Sequence, residues 1–353
     1  MTKNMTAGDP ARLIFFFALP LIAGNMMQQL YSFVDTLIVG RFLGVNALAA
    51  VGCTGSLMFL ALGFIMGFCT GITIYTGQRF GAGDRRGVRQ SAAACILLGV
   101  VVVLTLTAIV LPLTRTLLVL METPPEIMDG AYDFISIVFA GLVIFLLLYL
   151  QNCLIRALGD SKSPFIILVA GCIANIFLDL LFVAVFRLGV AGAAWATVIS
   201  EILCTVLTLV KLMREPNRYA RLVIGKIRFT PHLLSRMTSI GLPAGIQASL
   251  YTVSNLIIQS SINSFGTDVA AAWAAYGRLD SIFWMTVSSF GVAITTFAGQ
   301  NYGANKIDRM KKATIQGLMM AGASALLYTL IFYHFGQYIF LLFTRDATVI
   351  AQG

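Results

Sequence analysis

The chain alternates long apolar segments with short polar connections. Nine such segments follow one another between Leu13 and Phe335, each roughly 20 residues or longer. A helix of about 20 apolar residues crosses the ~30 Å hydrocarbon core of a bilayer, and a helix satisfies its own backbone hydrogen bonds in lipid. The pattern predicts an all-α, multi-pass membrane protein. The predicted segments are 13–39, 47–76, 91–111, 127–150, 164–186, 190–212, 240–264, 270–298 and 313–335.

The composition agrees with this class and removes several others. Hydrophobic residues make up 58% of the 353 residues and charged residues 11%. The mean hydropathy is +0.88, whereas soluble domains carry about 25% charged residues. In such a chain the formal net charge of +9 indicates basic loops rather than a nucleic-acid partner. The six cysteines show no CxxC spacing, so we expect them to be packing residues rather than zinc ligands or disulfides.

The charges differ between alternate loops. One set of loops carries most of the basic residues, including Arg85, Arg156 and Lys162, and the opposite set carries most of the loop acids, such as Glu126 and Asp129. Cytoplasmic loops are enriched in Lys and Arg. The N-terminus is therefore predicted to be cytoplasmic.

The sequence repeats itself at an offset of 222 positions, where GQRFGA at 77–82 falls on GQNYGA at 299–304. Each GQxxGA motif is predicted to end the second helix of its copy. Two six-helix copies in the same orientation are related by a pseudo-two-fold axis along the membrane normal. The predicted organisation is an N-terminal six-helix bundle over 1–213, a cytoplasmic linker over 214–235 and an incomplete C-terminal bundle over 236–353. The last part holds three helices and the start of a fourth, so we expect the chain to be truncated after its ninth helix.

Few ionisable residues lie inside the apolar segments, and several share one depth. Counting about 1.5 Å per residue from the outer helix ends places Asp35, Asp179 and Thr197 roughly 10 Å deep, with Asn175 and Glu201 about one turn deeper. Asn175 and Asp179 are four residues apart and share a helix face, as do Thr197 and Glu201. Carboxylate, amide and hydroxyl oxygens suit a proton or a small hard cation such as Na⁺. The first, fifth and sixth segments are therefore predicted to form an H⁺ or Na⁺ coupling site from Asp35, Asn175, Asp179 and Thr197.

Further residues are candidates for lining a cavity: Glu201, Arg278, Asn255, Gln28 and Met26. A water-exposed acid near a helix end is the alternative for Glu201, and a snorkelling or carbonyl-bonding side chain is the alternative for Arg278. Pro20 and Pro243 lie about two turns into the first helix of each copy. Because proline interrupts the helical hydrogen bonds, both are predicted to act as hinges.

The motifs together resemble those of one known transporter family. The stretches VGRFLGVNALAAVG, GQRFGAGD, NIFLDLLFV, GVAGAAWATVIS, GTDVAAAWAAYGR and GQNYGA, with LP ahead of Asp35, extend over essentially the whole chain. They are similar to those of MATE (multidrug and toxic compound extrusion) transporters, and most of all to the bacterial MepA-like branch.

This resemblance implies two six-helix bundles around a V-shaped cleft, in the cytoplasmic membrane of a bacterium. It implies export of small amphipathic or cationic compounds by H⁺ or Na⁺ antiport, by a monomer that is not an enzyme and needs no cofactor. In the prokaryotic branch with an acid on the first helix, the coupling residues match Asp35, Asn175, Asp179 and Thr197. Another branch has an acid on the seventh helix, where this chain has Asn255 and no carboxylate.

Three alternatives can be weighed from the sequence. A flippase of the same superfamily that moves a lipid-linked precursor is expected to have a strongly basic cleft. Arg278 is the one clear intramembrane cation in this sequence, which disfavours that alternative. A membrane enzyme is disfavoured because the chain has only His232 and His334 and contains no HExxH or GxSxG motif. A channel is disfavoured because no rings of like charge or filter-type loops occur.

Overall fold

The computed structural model describes residues 3–121, 123–215, 231–263 and 265–341, and in this part of the chain it is helical with no β-strand. The all-α prediction is thereby confirmed. The helices are α1 Pro10–Leu43, α2 Val45–Gly81, α3 Arg85–Leu120, α4 Pro125–Ala140, α5 Leu142–Ala157, α6 Lys162–Asp179, α7 Gly189–Met213, α8 Pro231–Asn263, α9 Thr267–Gly303 and α10 Ile307–Phe340; a π-helical turn, Leu180–Val185, continues α6.

Local sequence explains where α1 begins and ends. The Asp9 side chain caps α1 by accepting a hydrogen bond from the Arg12 backbone N–H at 3.0 Å, and Pro10 occupies the first turn. Proline fits there because its missing N–H has no partner in a helix start. Gly44 ends the helix with φ 84°, a conformation that glycine adopts without steric cost. Gly44 also precedes α2, and Gly266 precedes α9 in the same way, with φ 101°.

By length and composition, six helices of the described chain could cross a membrane, and α4 with α5, bent by 48° relative to each other, makes a seventh. The remaining two predicted spans are α2 and α8, of 37 and 33 residues. These two helices pack closely through small residues, since a Cβ added at Gly71 would lie 2.7 Å from the Gly241 Cα. Small residues at such an interface allow close helix packing in membranes.

The segment predicted over 127–150 is divided by a bend at Gly141. A Cβ at Gly141 would lie 2.8 Å from a methyl carbon of Val198 in α7. Because glycine has no side chain, α7 can pack closely against the bend. The hydrophobic pattern could not reveal this, because both halves of the segment are equally apolar.

The helices repeat with the predicted offset. Both α2 and α9 have 37 residues, and they end at Gly81 and Gly303, within the two GQxxGA motifs. The ends of these helices meet: a Cβ at Gly81 would overlap the carbonyl of Gln300, and a Cβ at Gly303 would overlap the carbonyl of Gln78. This reciprocal contact is what a pseudo-two-fold axis between the two copies requires.

The two copies form an N-terminal lobe of α1–α7 and a C-terminal lobe of α8–α10. They meet along α2 and α8 and at the end of the bundle that carries the N-terminus, here called the basic end because Arg79, Lys306 and Arg309 lie there. The helix α8 begins at Pro231, inside the predicted linker 214–235. Residues 216–230 of that linker, and the predicted start of a fourth C-terminal helix after 341, lie outside the described residues.

Candidate functional site

A cavity of about 420 Å³ lies within the N-terminal lobe and is bounded by α1, α5, α6, α7 and, on one side, α9. Polar side chains from four of these helices line it, including Gln28, Tyr31, Asn152, Thr197 and Glu201. A ligand pocket of a few hundred Å³ with a small number of placed polar groups is the usual form of a small-molecule site.

The predicted acids meet at the edge of this cavity. The carboxyl groups of Asp35 of α1 and Asp179 of α6 are direct neighbours. Asp179 is 0% exposed and Asn175, one turn earlier on the same face, is 1% exposed. The structure therefore brings the α1 and α6 members of the predicted set together.

The third helix of the set supplies hydroxyl groups. Thr197 of α7 lies against the side chain of Tyr31, and its hydroxyl donates to the Ala193 carbonyl at 3.2 Å. The Asn175 side-chain amide donates to the Ser200 hydroxyl at 3.4 Å, and Ser200 in turn donates to the Thr197 carbonyl at 2.8 Å. These contacts hold α6 against α7 at the level of the acids.

Several buried oxygens of this group lack hydrogen-bond partners. They are one carboxyl oxygen of Asp35, both carboxyl oxygens of Asp179 and the amide oxygen of Asn175. A buried polar atom without a partner is rare and costs about 1–3 kcal/mol, more when it is charged. Four such acceptors in one place call for a proton or a cation among them.

The donor set fits a proton or a monovalent cation. Among the described residues, no group of three or more His, Cys, Asp and Glu side chains is placed to hold a metal ion. Carboxylate, amide and hydroxyl oxygens are the ligand types that suit a small hard cation such as Na⁺. Proton exchange between two adjacent carboxyl groups needs no further ligand.

A π-helical turn follows Asp179 directly. It covers Leu180–Val185, and the Phe186 N–H donates to the Leu181 carbonyl at 2.9 Å, five residues back. Such wide turns are uncommon and are often found at functional sites. Here the wide turn ends the α-helical hydrogen bonding of α6 at the acid itself.

The other candidates divide into two groups. Gln28 and Glu201 line the cavity, as does Pro20. Met26 is two positions from Gln28, so it faces another direction, and it is 56% exposed. Asn255 and Arg278 are exposed and also lie outside this cavity, and Pro243 lies within α8.

Three residues of the site were missed from the sequence. Tyr31 lies one turn before Asp35, and its side chain neighbours Thr197, Asp179 and Glu201; the i,i+4 spacing from Asp35 was the available signal. Ser200 lies three residues after Thr197, and no sequence signal singles it out. Arg156 was assigned to a basic loop, whereas α5 extends to Ala157 and Arg156 lines the cavity.

Comparisons with known proteins agree with this architecture. The MatE family model matches residues 20–181 and 243–353, which include both copies of the repeat. The probable multidrug resistance protein YoeA of Bacillus subtilis (strain 168) is 29% identical over 98% of this chain and 76% of its own length. The multidrug export protein MepA of Staphylococcus aureus (strain MSSA476) is 21% identical over 97% of this chain and 75% of its own length.

The fold also matches that of a solved structure. This structure is described as the outward-facing conformation of a multidrug resistance MATE family transporter of the MOP superfamily, and it shares a TM-score of 0.91 and 23% identity over 100% of this chain and 79% of its own. The agreement confirms the predicted V-shaped fold of two helical lobes. Since the family model covers most of the chain and both repeats, this chain belongs to the MatE family, whose members are multi-pass membrane transporters rather than enzymes.

Proposed function

We propose that this protein is a secondary active transporter that exports small amphipathic or cationic compounds in exchange for H⁺ or Na⁺. The observation that carries the proposal is the group of buried, unpartnered oxygens on Asp35, Asn175 and Asp179 beside a cavity of about 420 Å³. The relatives named above are described as a probable multidrug resistance protein and a multidrug export protein. Their names support a drug-like cargo for this chain.

The coupling ion binds at the Asp35–Asp179 pair, with Asn175 and Thr197 as further oxygen ligands. Two adjacent carboxylates repel each other when both are ionised, and a proton or Na⁺ between them removes this repulsion. No cofactor is needed besides this ion. The ion changes transport because it binds the two conformations of the protein with different affinity, and without such a difference it would shift nothing.

Helix α1 connects the ion to the cargo. Asp35 lies near its outer end, while Gln28, Tyr31 and Pro20 of the same helix line the cavity. Pro20 cannot donate to the Phe16 carbonyl, so the helix bends there at low cost. Movement of α1 on ion binding reshapes the cavity and lowers its affinity for the exported compound.

The protein works as a monomer in the cytoplasmic membrane of a bacterium, with the basic end facing the cytoplasm. The excess of Lys and Arg in the loops at that end supports this orientation. A flippase for a lipid-linked precursor is not favoured, because the relatives are named for drug export. A volume of about 420 Å³ also suits a drug-sized ligand.

The test is gradient-driven transport of a cationic dye in proteoliposomes containing the purified protein. A pH gradient and a Na⁺ gradient should be imposed in separate experiments, since the gradient that drives dye transport identifies the coupling ion. Asp35→Asn and Asp179→Asn should each reduce driven transport at least about tenfold, because a neutral amide cannot exchange a proton. Asp280→Asn is the matched control, since Asp280 of α9 hydrogen-bonds with Tyr276 and lies outside the cavity. Wild-type rates in Asp35→Asn would remove this acid from the mechanism.

A further inference from the structure

Arg156 lies at the inner end of the N-terminal lobe cavity without an acidic partner. It belongs to the last turn of α5 and lines both this cavity and a smaller one of about 270 Å³ between the lobes. Its guanidinium donates to the Cys153 thiol at 3.0 Å and lies 5.5 Å from the centre of the Tyr149 ring. Among the described residues, the ion pairs involve Arg79 and Lys211, and none involves Arg156.

A guanidinium in such a place is left short of strong acceptors. It carries five N–H donors, and its side-chain neighbours are the Cys153 thiol, which is a weak acceptor, and the Tyr149 hydroxyl. Arg156 is half-buried in the last turn of α5 and faces the cavity. Planar guanidinium groups bind carboxylate and phosphate oxygens in pairs. The missing partner is therefore an anionic group that enters the cavity.

Glu201 faces the same cavity from α7. Its carboxyl group neighbours the Tyr31 side chain, and no basic residue in the described part of the chain forms an ion pair with it. A carboxylate in an apolar cavity attracts a cationic group of the ligand. The cavity thus contains one acid, Glu201, and one base, Arg156, that do not form an ion pair with each other.

The two charges are separated along the membrane normal. The Lys211 ammonium lies 4.0 Å from a carboxyl oxygen of Asp160, which sets α7 and the end of α5 at a common level. Glu201 lies ten residues before Lys211 and Arg156 four before Asp160, which at 1.5 Å per residue is about 15 Å and about 6 Å above that level. The backbones at Glu201 and Arg156 are therefore roughly 9 Å apart in height, and no ion pair joins their side chains in the described part of the chain. Asn152, one turn before Arg156, lines the cavity with its side-chain oxygen unpartnered.

We propose that Arg156 and Glu201 are the two charged ends of one binding site and that the transported compound is amphoteric, with a carboxylate or phosphate at Arg156 and an amine or other cation at Glu201. This inference rests on the proposed function only in taking the cavity as the cargo site. It narrows the cargo class from amphipathic cations to compounds that carry both charges.

The test compares two dyes that differ in one group. Rhodamine 19 is the free carboxylic acid and rhodamine 6G its ethyl ester, and both carry the same cationic ring system. Their affinities for the purified protein in detergent are measured by fluorescence anisotropy for wild type, Arg156→Gln, Arg156→Lys and Glu201→Gln. The readout is the coupling between Arg156 and the carboxylate of the dye. It is the fold-loss in affinity for rhodamine 19 divided by the fold-loss in affinity for rhodamine 6G. This ratio cancels a general effect of the mutation on packing.

Arg156→Gln should weaken rhodamine 19 about tenfold more than rhodamine 6G, since a hydrogen bond to a charged group is then lost. Arg156→Lys should retain part of the preference, and Glu201→Gln should weaken both dyes alike. Arg278→Gln is the control, because Arg278 is exposed outside the cavity. A ratio within twofold of one for Arg156→Gln, or a wild type that binds neither dye, overturns the inference. If Arg156→Gln gives the expected tenfold ratio but the wild type shows no gradient-driven transport, the proposed ion coupling is overturned and the amphoteric binding site is not.

Discussion

The buried oxygens of Asp35, Asn175 and Asp179 show why single side chains decide what this lobe can bind. Asp179 is fully buried, and neither of its carboxyl oxygens has a hydrogen-bond partner. Ionised groups are expensive in a membrane interior and persist where they have a function. Tyr31 lines the cavity, and its side chain neighbours Thr197 and both acids.

Tyr31→Phe tests whether that hydroxyl takes part. The change keeps the ring and removes the oxygen next to Thr197. We expect coupling-ion affinity to fall about threefold to tenfold, because one hydrogen bond contributes about 0.5–1.5 kcal/mol. The ion concentration for half-maximal dye transport in proteoliposomes measures this. Tyr251→Phe is the control, since Tyr251 packs on Trp284 in the other lobe. Equal effects of the two substitutions would contradict a specific role for Tyr31.

The sequence could predict those site residues that combine charge, depth and helical spacing. Asn175 and Asp179 are four residues apart in an apolar segment, so their shared face and their depth follow from counting. Ser200 carries no such signal, because serine is ordinary in helix packing, and Tyr31 has only its i,i+4 spacing from Asp35, without a charge of its own. The sequence places Arg156 in a loop because the predicted apolar segment 127–150 ends before it. Only the described end of α5 at Ala157 shows that Arg156 is still helical.

At the scale of helices, the two GQxxGA motifs hold the lobes together at the basic end. The Gly81 and Gly303 Cα atoms face backbone carbonyls of Gln300 and Gln78, and no side chain fits at either position. The sequence predicted these motifs as helix ends but not as a mutual contact, because the pairing depends on the axis between the copies. The other two glycines of the motifs, Gly77 and Gly299, have more room.

Gly81→Ala and Gly303→Ala should each separate α2 from α9. The backbone must shift to admit the methyl group, and overpacking costs typically about 1–3 kcal/mol. We expect a lower melting temperature in detergent and a larger distance between spin labels placed at the basic ends of α2 and α9. Gly77→Ala and Gly299→Ala are matched controls, since their Cβ atoms would lie 3.5 Å and 3.8 Å from the nearest atoms. A similar loss in all four variants would show that the contact is not specific.

Pro20 is a second feature that acts at the scale of one helix. Pro20 lies within the continuous helix α1 and lines the cavity. Pro20→Ala restores an N–H that can donate to the Phe16 carbonyl, so α1 should become stiffer. We expect dye transport to slow severalfold while dye affinity changes little, as measured by initial rates and by anisotropy. Pro112→Ala in α3 is the control. Undiminished transport in Pro20→Ala would show that α1 does not act as a hinge.

At the scale of the whole molecule, the N-terminal strap, defined as residues 3–9, ties the lobes together. It precedes α1 of the N-terminal lobe but binds α9 and α10 of the other. The buried Met5 donates from its N–H to the Gln300 side chain at 2.9 Å, and Gln300 donates to the Ala157 carbonyl of α5 at 3.0 Å. The sequence showed only a polar N-terminus, because these contacts join residues about 300 positions apart. The strap therefore joins the two lobes at the basic end.

Arg309 is the side chain that holds the strap most directly. Its guanidinium donates to the Gly8 carbonyl at 2.9 Å and the Met5 carbonyl at 3.4 Å. In Arg309→Gln we expect the amides of residues 3–9 to exchange hydrogen about tenfold faster, because charged hydrogen bonds worth about 1.5–3 kcal/mol are lost. Hydrogen–deuterium exchange with mass spectrometry measures this. Lys312→Gln, an exposed change on the same helix, is the control.

Because the basic end must open for cargo to enter from that side, Arg309→Gln should also open that end more often. Faster exchange without more frequent opening would mean that the glycine contacts alone keep that end closed.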